Sequence, residues 1–248
     1  MMKKLFVGAV VFYSIGVAAQ ESSMYVAAKA GLSIREKPDV SAKVLDKIPY
    51  GTNIILKESN EEAKKINTEG MTGYWKKVTY NNKTGYIVDA YLFPFAPPKS
   101  GVKTMKDYLA QLSAPFGSKL VVKNGNEEMQ TETHKQLFKN GGEWHEFHGY
   151  EFSSVTYFVP GFTVQQGFLL IRMIAEFNEA ITDKDEFPTR DKTYKKGERE
   201  YSIKVEKEQI TDVPWIKKIS IEFESGAIYN FEMHEIDNQL VIYYGSGV

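Results

Sequence analysis

The chain has 248 residues, of which 42% are hydrophobic and 13% aromatic, and its formal net charge is −1. This length allows one or two domains, and the apolar fraction is ample for a packed core, which excludes wholesale disorder. The chain has no cysteine, which excludes disulfides, a cysteine nucleophile and a lipid anchor attached through cysteine. No basic run stands out, so nucleic acid is not an expected partner.

The N-terminus has the pattern of a secretory signal peptide. Lys3 and Lys4 precede an apolar run at residues 5–17, and small residues follow it up to Gln20. The run is shorter than the ~20 apolar residues that span a bilayer. We therefore expect residues 1–19 to be removed and the protein to be exported, periplasmic or extracellular, with no transmembrane anchor. The remaining chain would carry 29 basic and 32 acidic residues, a net charge of −3.

Residues 24–93 have the pattern of short strands separated by turns. Apolar and polar side chains alternate at residues 32–35 and again at 74–80, which is typical of half-buried strands. Pro-Tyr-Gly at residues 49–51 and Asn-Asn-Lys at 81–83 predict tight turns. This part of the chain is therefore predicted to form a small, turn-rich β unit.

The motifs of this unit come in a characteristic order. Gly-Leu-Ser-Ile-Arg-Glu-Lys-Pro at residues 31–38 is followed by Gly-Thr at 51–52, Tyr-Trp-Lys-Lys-Val at 74–78 and Gly-Tyr-Ile at 85–87. The arrangement resembles the bacterial SH3-like domain over residues 24–93. The resemblance implies a small β-barrel that binds rather than catalyses. Domains of this family are often attached to cell-wall enzymes and are thought to touch peptidoglycan or peptide ligands. The matching positions are Gly31, Leu32, Ile34, Arg35, Pro38, Val44, Gly51, Thr52, Trp75, Val78, Gly85, Tyr86 and Leu92.

Aromatic side chains are the candidate ligand-binding groups of this unit, because Tyr and Trp offer broad contact area together with a polar handle. Alternatively, the same rings pack the barrel core, and the module is purely structural against the rest of the chain. Arg35 could meet an acidic ligand or form an ion pair with a neighbouring carboxylate. The polar insert at residues 58–72, which we expect to form a long exposed hairpin, departs from the family pattern. The candidate residues are Tyr50, Tyr74, Trp75, Tyr86, Tyr91 and Arg35.

The composition changes after the β unit. Residues 94–103 contain three prolines and predict an extended linker. Thr104, with Asp107 three residues later, predicts the start of a helix that ends before Pro115. No family is recognised beyond the linker.

Most of residues 104–248 is predicted to be strand, which makes this half an α+β domain with an antiparallel sheet. The apolar run at residues 168–174 is ambiguous between strand and helix, and we favour a buried strand. The charged stretch at residues 183–199 is expected to be a loop. Strands are predicted at residues 120–122, 151–159, 200–206, 216–224, 227–235 and 240–244.

No strong catalytic motif is present in the sequence, and we expect neither a cofactor nor a metal. The alternative is a cell-wall hydrolase with a metal site in the C-terminal domain built from His145, His148 and His234. His145 and His148 would share a face on a helix and point to opposite faces on a strand. The favoured function is an exported, non-catalytic binding protein whose SH3-like module contacts peptidoglycan, a peptide or an envelope protein.

Overall fold

The structure is a computed structural model, and it describes residues 21–57, 63–126, 129–210 and 213–248. The predicted signal peptide and the start of the predicted exposed hairpin therefore lie outside the described residues. No helix in the described ranges is long and apolar enough to cross a membrane. The first strands are β1 (Glu21–Val26), β2 (Leu32–Arg35), β3 (Val44–Ile48), β4 (Asn53–Lys57), β5 (Lys65–Thr68), β6 (Met71–Tyr80), β7 (Lys83–Val88) and β8 (Leu92–Phe93).

These eight strands form the predicted small barrel. Their order is β4-β1-β8 in one antiparallel sheet and β3-β2-β7-β6-β5 in the other. The β6–β7 turn is made by Asn81 and Asn82, both with positive φ, as Asn tolerates in a tight hairpin. A short 3₁₀ helix at Asp89–Tyr91 leads into β8. The barrel core consists of Val26, Leu32, Ile34, Ile48, Ile54, Val78, Ile87 and Leu92.

The described residues that follow the barrel form one large antiparallel sheet with two α-helices, which confirms the predicted mainly β, α+β class. The sheet order is β13-β14-β15-β16-β17-β12-β11-β10-β9. The elements are α1 (Met105–Leu112), β9 (Pro115–Asn124), β10 (Thr131–Phe138), β11 (Glu143–His148), β12 (Phe152–Pro160), α2 (Val164–Ile171), β13 (Lys192–Lys196), β14 (Arg199–Ile210), β15 (Val213–Glu224), β16 (Ile228–Ile236) and β17 (Gln239–Gly247).

The prediction of a strand at residues 168–174 is wrong, because α2 occupies residues 164–171. The helix begins with a capping box in which the Thr163 and Gln166 side chains each accept a backbone N–H of the other residue. Most of its residues are buried, so the apolar run shows no amphipathic period and resembles a buried strand. Gly167 allows the helix to lie close against Leu240 of β17. Tertiary packing therefore makes a helix of this segment.

Two other parts of the second half also differ from the prediction. The expected loop at residues 183–199 contains β13, which forms a hairpin with β14. Strands β10 and β11 were not predicted, because charged and histidine residues interrupt their apolar pattern. The helix at Thr104, by contrast, has the predicted capping box with Asp107.

The linker at residues 94–103 is extended, but it packs against the protein rather than forming a free spacer. Pro97 and Pro98 are buried. The Gln111 side chain of α1 donates to the Pro97 carbonyl oxygen over 3.0 Å and accepts from the Lys99 N–H over 2.8 Å. Tyr108 donates to the Ala96 carbonyl oxygen over 3.1 Å. These contacts fasten the linker to the first helix.

The barrel and the large sheet share one hydrophobic core. Ala27, Met71, Ala90 and Phe93 of the barrel belong to the same buried cluster as the inner face of the large sheet and α2. Met71 is fully buried although it lies in the insert that was predicted to be exposed. The turn of the β5–β6 hairpin therefore docks onto the second half of the chain instead of projecting into solvent.

Candidate functional site

A cleft of about 450 Å³ lies where the barrel meets α2, and we call it the barrel cleft. Its volume falls within the range of ligand-binding pockets, about 300–1,000 Å³. Three of the six candidate side chains line it. Its walls include Lys29, Arg35, Val40, Ile66, Glu69, Trp75, Tyr91, Leu169, Arg172, Met173 and Asp183.

Trp75 lies on β6, where alternation turns its ring inward, and only 6% of its surface is exposed. Trp75 belongs to neither of the two hydrophobic clusters of the described residues, and it lines the barrel cleft with the small part of its surface that is exposed. Arg35, at the end of β2, donates from Nη1 to the Ala42 carbonyl oxygen over 2.7 Å. This bond leaves its other guanidinium nitrogens available at the cleft.

Tyr91 is part of a polar network that closes one side of the barrel cleft. Its hydroxyl donates to Glu69 Oε1 over 3.1 Å and lies 2.8 Å from Thr68 Oγ1. Burial raises the pKa of Tyr91 further above neutrality, where a tyrosine hydroxyl is already protonated and able to donate. Glu69 Oε2 pairs with Arg172 Nη1 over 2.5 Å, and Arg172 Nη2 also donates to the Asp183 carbonyl oxygen.

The network depends on the tight turn between β5 and β6. Glu69 and Gly70 both have positive φ, as a two-residue hairpin turn requires. The Phe187 N–H donates to the Glu69 carbonyl oxygen over 2.9 Å. A Cβ at Gly70 would overlap the Phe187 carbonyl group. The turn therefore carries Glu69 from the barrel to Arg172 at the end of α2.

The other candidates lie away from this cleft. Tyr50 donates its hydroxyl to the Pro98 carbonyl oxygen over 2.7 Å, and burial raises its pKa to about 12. Tyr86 lies on β7, where it is paired with Arg35 of β2 on one side and with Lys77 of β6 on the other. Tyr74 is 38% exposed and lines a different cavity. The structure thus brings together Arg35, Trp75 and Tyr91 and separates the remaining three candidates from them.

The second cavity, of about 510 Å³, lies between the barrel and the start of α2, and we call it the junction cleft. The Asp89 carboxylate, which accepts the Tyr74 N–H over 2.6 Å, lies in it. Burial raises the pKa of Asp89, against a smaller lowering by the bond from Tyr74 and by the charge of Lys76. The sequence did not point to this cavity, because its two walls are far apart along the chain.

The three histidines of the alternative metal site are not brought together. His145 and His148 lie on strand β11, which turns them to opposite faces. His145 Nε2 lies 2.5 Å from Glu143 Oε1, and His148 Nε2 lies 3.7 Å from Glu146 Oε2. His234 is on β16, three strands from β11, about 14 Å away at ordinary strand spacing. Among the described residues no group of three or more His, Asp or Glu could hold a metal ion.

Sequence reasoning missed the wall of the barrel cleft that comes from the second half of the chain. Leu169 lies in α2, with Arg172 and Met173 directly after it, in the segment that was predicted to be a strand. The capping pair Thr163 and Gln166 is the signal that could have identified the helix. No feature of the sequence indicates that this helix packs beside Trp75.

A model of the bacterial SH3 domain family matches residues 30–93, about a quarter of the chain. The matched segment begins just before the Gly31 turn and ends at Phe93, the last residue of β8. No curated protein and no solved structure gave a significant match to the chain. The match and the observed barrel agree, and residues 30–93 are therefore identified as a bacterial SH3 domain.

Proposed function

We propose that this protein is an exported, non-catalytic binding protein of the bacterial cell envelope, and that the barrel cleft of its SH3 domain holds a peptide. The peptide is a segment of peptidoglycan or of an envelope protein. The observation that carries the proposal is the convergence of Trp75, Tyr91 and Arg35 on one cleft of ligand size. Rings of Trp and Tyr suit peptide backbones because they combine a flat apolar face with hydrogen-bonding groups.

The charges around the cleft favour a ligand with a carboxylate. The lining holds two carboxylates: Glu69 is already engaged by Arg172 and Tyr91, and Asp183 faces the larger positive charge of Lys29 and Arg35. Lys29 and Arg35 form no ion pair with any described carboxylate. A carboxylate at the end or on a side chain of the peptide would therefore meet two cations, and Arg35 would bind it through charge-assisted hydrogen bonds.

The test is a pelleting assay of the purified protein with insoluble peptidoglycan, followed by calorimetric titration with soluble peptide-bearing fragments of it. Arg35→Gln should weaken binding about tenfold, because it removes a charge-assisted hydrogen bond worth about 1.5 kcal/mol. Arg190→Gln, at an exposed arginine outside the cleft, is the matched control and should bind as the native protein does.

Trp75→Leu should abolish binding, with a thermal melt to confirm that the barrel remains folded. If peptidoglycan pellets the native and Arg35→Gln proteins equally, the cleft is not the binding site. If only a peptide from an envelope protein binds, the proposal stands with that ligand.

Binding should persist in moderate salt. The net charge of −3 expected after signal removal gives no overall electrostatic attraction to an anionic cell wall that salt could screen.

Export has its own test. The expected cleavage after Ala19 would leave Gln20 as the first residue. N-terminal sequencing of the protein recovered from the periplasm or the culture medium should begin at Gln20. Recovery of the intact N-terminus from the cytoplasm alone would contradict export.

A further inference from the structure

The junction cleft has polar side chains whose hydrogen bonds are already made within the protein. Gln165 accepts the Thr72 N–H and donates to the Thr72 carbonyl oxygen, each over 2.8 Å. Gln166 donates to the Leu92 carbonyl oxygen over 3.0 Å and accepts the Thr163 N–H over 3.1 Å. A peptide, which carries a donor and an acceptor at every residue, would leave polar groups unpaired against this wall.

The rest of the lining is mostly apolar. Met24 and Leu56 of the barrel and Ile216 of β15 are partly exposed apolar side chains that line the cavity. Trp215, on β15, is 45% exposed at the opening. A cavity of about 510 Å³ with these walls suits an apolar body of the size of one hydrocarbon chain.

Two exposed lysines that line the cavity indicate that the head group of the ligand is anionic. Lys65 of β5, in the barrel, and Lys207 of β14, in the large sheet, both line the cavity, and both are exposed. Neither forms an ion pair within the part of the chain that the structure describes. The one carboxylate of the lining, Asp89, accepts the Tyr74 N–H and lies near Lys76, so the two lysines leave an excess of positive charge.

We propose that the junction cleft binds a single-chain amphiphile with an anionic head, such as a fatty acid or a lysophospholipid, with its chain along Met24, Leu56 and Ile216 and its head near Lys65 and Lys207. The site is separate from the barrel cleft. It also requires both halves of the chain, because the barrel supplies one wall and α2 with β14 and β15 supplies the other.

The chain contains Trp75, Trp144 and Trp215, and of these only Trp215 lines the junction cleft. Fluorescence quenching by a bromine-terminated dodecanoic acid, kept below its micelle concentration, therefore reports occupancy of this site. The native protein should show saturable quenching. Trp215→Phe should lose most of it, whereas Trp75→Phe, the matched change in the barrel cleft, should retain it. Quenching that does not saturate, or that survives in Trp215→Phe, overturns the proposal.

The head group is tested by removing both rim charges. The double variant Lys65→Gln with Lys207→Gln should raise the Kd for the acid about fivefold, as expected for two exposed ion pairs. The bromine-terminated dodecanol, which has the same chain and a neutral head, should bind the native and double-variant proteins equally. If the double variant binds the acid and the alcohol more weakly by the same factor, the two lysines do not recognise an anionic head group. Competition by palmitate and by an anionic lysophospholipid then distinguishes the two sources of the ligand.

Discussion

Glu69 and Arg172, 103 residues apart in sequence, form an ion pair with 2.5 Å between Oε2 and Nη1. Glu69 belongs to the turn between two barrel strands, and Arg172 follows the last residue of α2. The pair therefore joins the SH3 domain to the second half of the chain. It also fixes one side of the barrel cleft, since Glu69 holds the Tyr91 hydroxyl.

The stability of this junction should depend more on Glu69 than its exposure suggests. The Arg172 side chain is only 12% exposed, and its buried Nε has no hydrogen-bond partner among the described residues. Glu69→Gln leaves this guanidinium without its counter-charge and should cost about 1–2 kcal/mol of unfolding free energy. Urea denaturation measures it, with Glu198→Gln, an exposed change in the β13–β14 turn, as control. Equal midpoints for the two variants would contradict the role of the pair.

Gly70 and Gly51 offer a matched pair for testing the docking of the hairpin. Both have φ of +77°, so an alanine at either position meets the same backbone strain, about 1–2 kcal/mol. A Cβ at Gly51 would have no neighbour within 4 Å, whereas at Gly70 it would overlap the Phe187 carbonyl group. Gly70→Ala should therefore destabilise the protein by about 1–3 kcal/mol more than Gly51→Ala.

The difference between those two variants is measured from their thermal or urea midpoints. If Gly70→Ala and Gly51→Ala have the same stability, the turn does not dock against Phe187. We also expect Gly70→Ala to weaken ligand binding in the barrel cleft, because it displaces Glu69 and with it Tyr91.

A larger side chain at Gly167 should destabilise the protein, because α2 packs closely against β17 at this position. Alanine is a better helix former than glycine by about 1 kcal/mol, which would favour the substitution in an exposed helix. Here a Cβ would overlap the Leu240 side chain and lie 2.9 Å from Met233 Sδ. Gly167→Ala should therefore lower the free energy of unfolding by about 1–3 kcal/mol.

A double-mutant cycle identifies the cause. Leu240→Ala removes the overlapping side chain, so Gly167→Ala should cost little or nothing in that background. If the two changes are instead additive, the close approach of α2 to β17 is not what limits position 167.

His234 should make the stability of the large sheet depend on pH. Burial, and to a smaller extent the charge of Lys218, lowers its pKa below the ordinary 6.5, and its buried Nδ1 has no partner among the described residues. Between the lowered folded pKa and 6.5 the unfolded chain binds more protons. The contribution of neutral His234 to the free energy of unfolding is therefore complete above about pH 6.5. It is lost as the pH falls from 6.5 through the lowered pKa of the folded protein.

The measurement compares urea midpoints of the native protein and His234→Gln between about pH 5 and pH 8. Glutamine does not titrate, so the variant should lose less stability on acidification than the native protein does. Curves that stay parallel over the whole range would show that His234 does not contribute to the acid sensitivity.

The sequence alone determined the barrel, because its strands alternate with period two and its turns carry Gly, Pro and Asn where positive φ or a chain reversal is needed. The helix at Thr104 and the strands β14 to β17 were predictable for the same reason, since their signals are local. Trp75 and Tyr91 were found as candidates because they are aromatic side chains of the SH3-like unit, and Arg35 because its charge suits an acidic ligand.

The features that depend on contacts between residues far apart in the sequence were decided only by the tertiary structure. It made a helix of the apolar run at 168–174, because that run is buried on almost every side and has no period of its own. It placed Arg172 against Glu69, and it formed both clefts from walls that are far apart in the chain. It also turned His145 and His148 to opposite faces of β11. Periodicity and turn chemistry act over a few residues, whereas these contacts depend on how the two halves of the chain share one core.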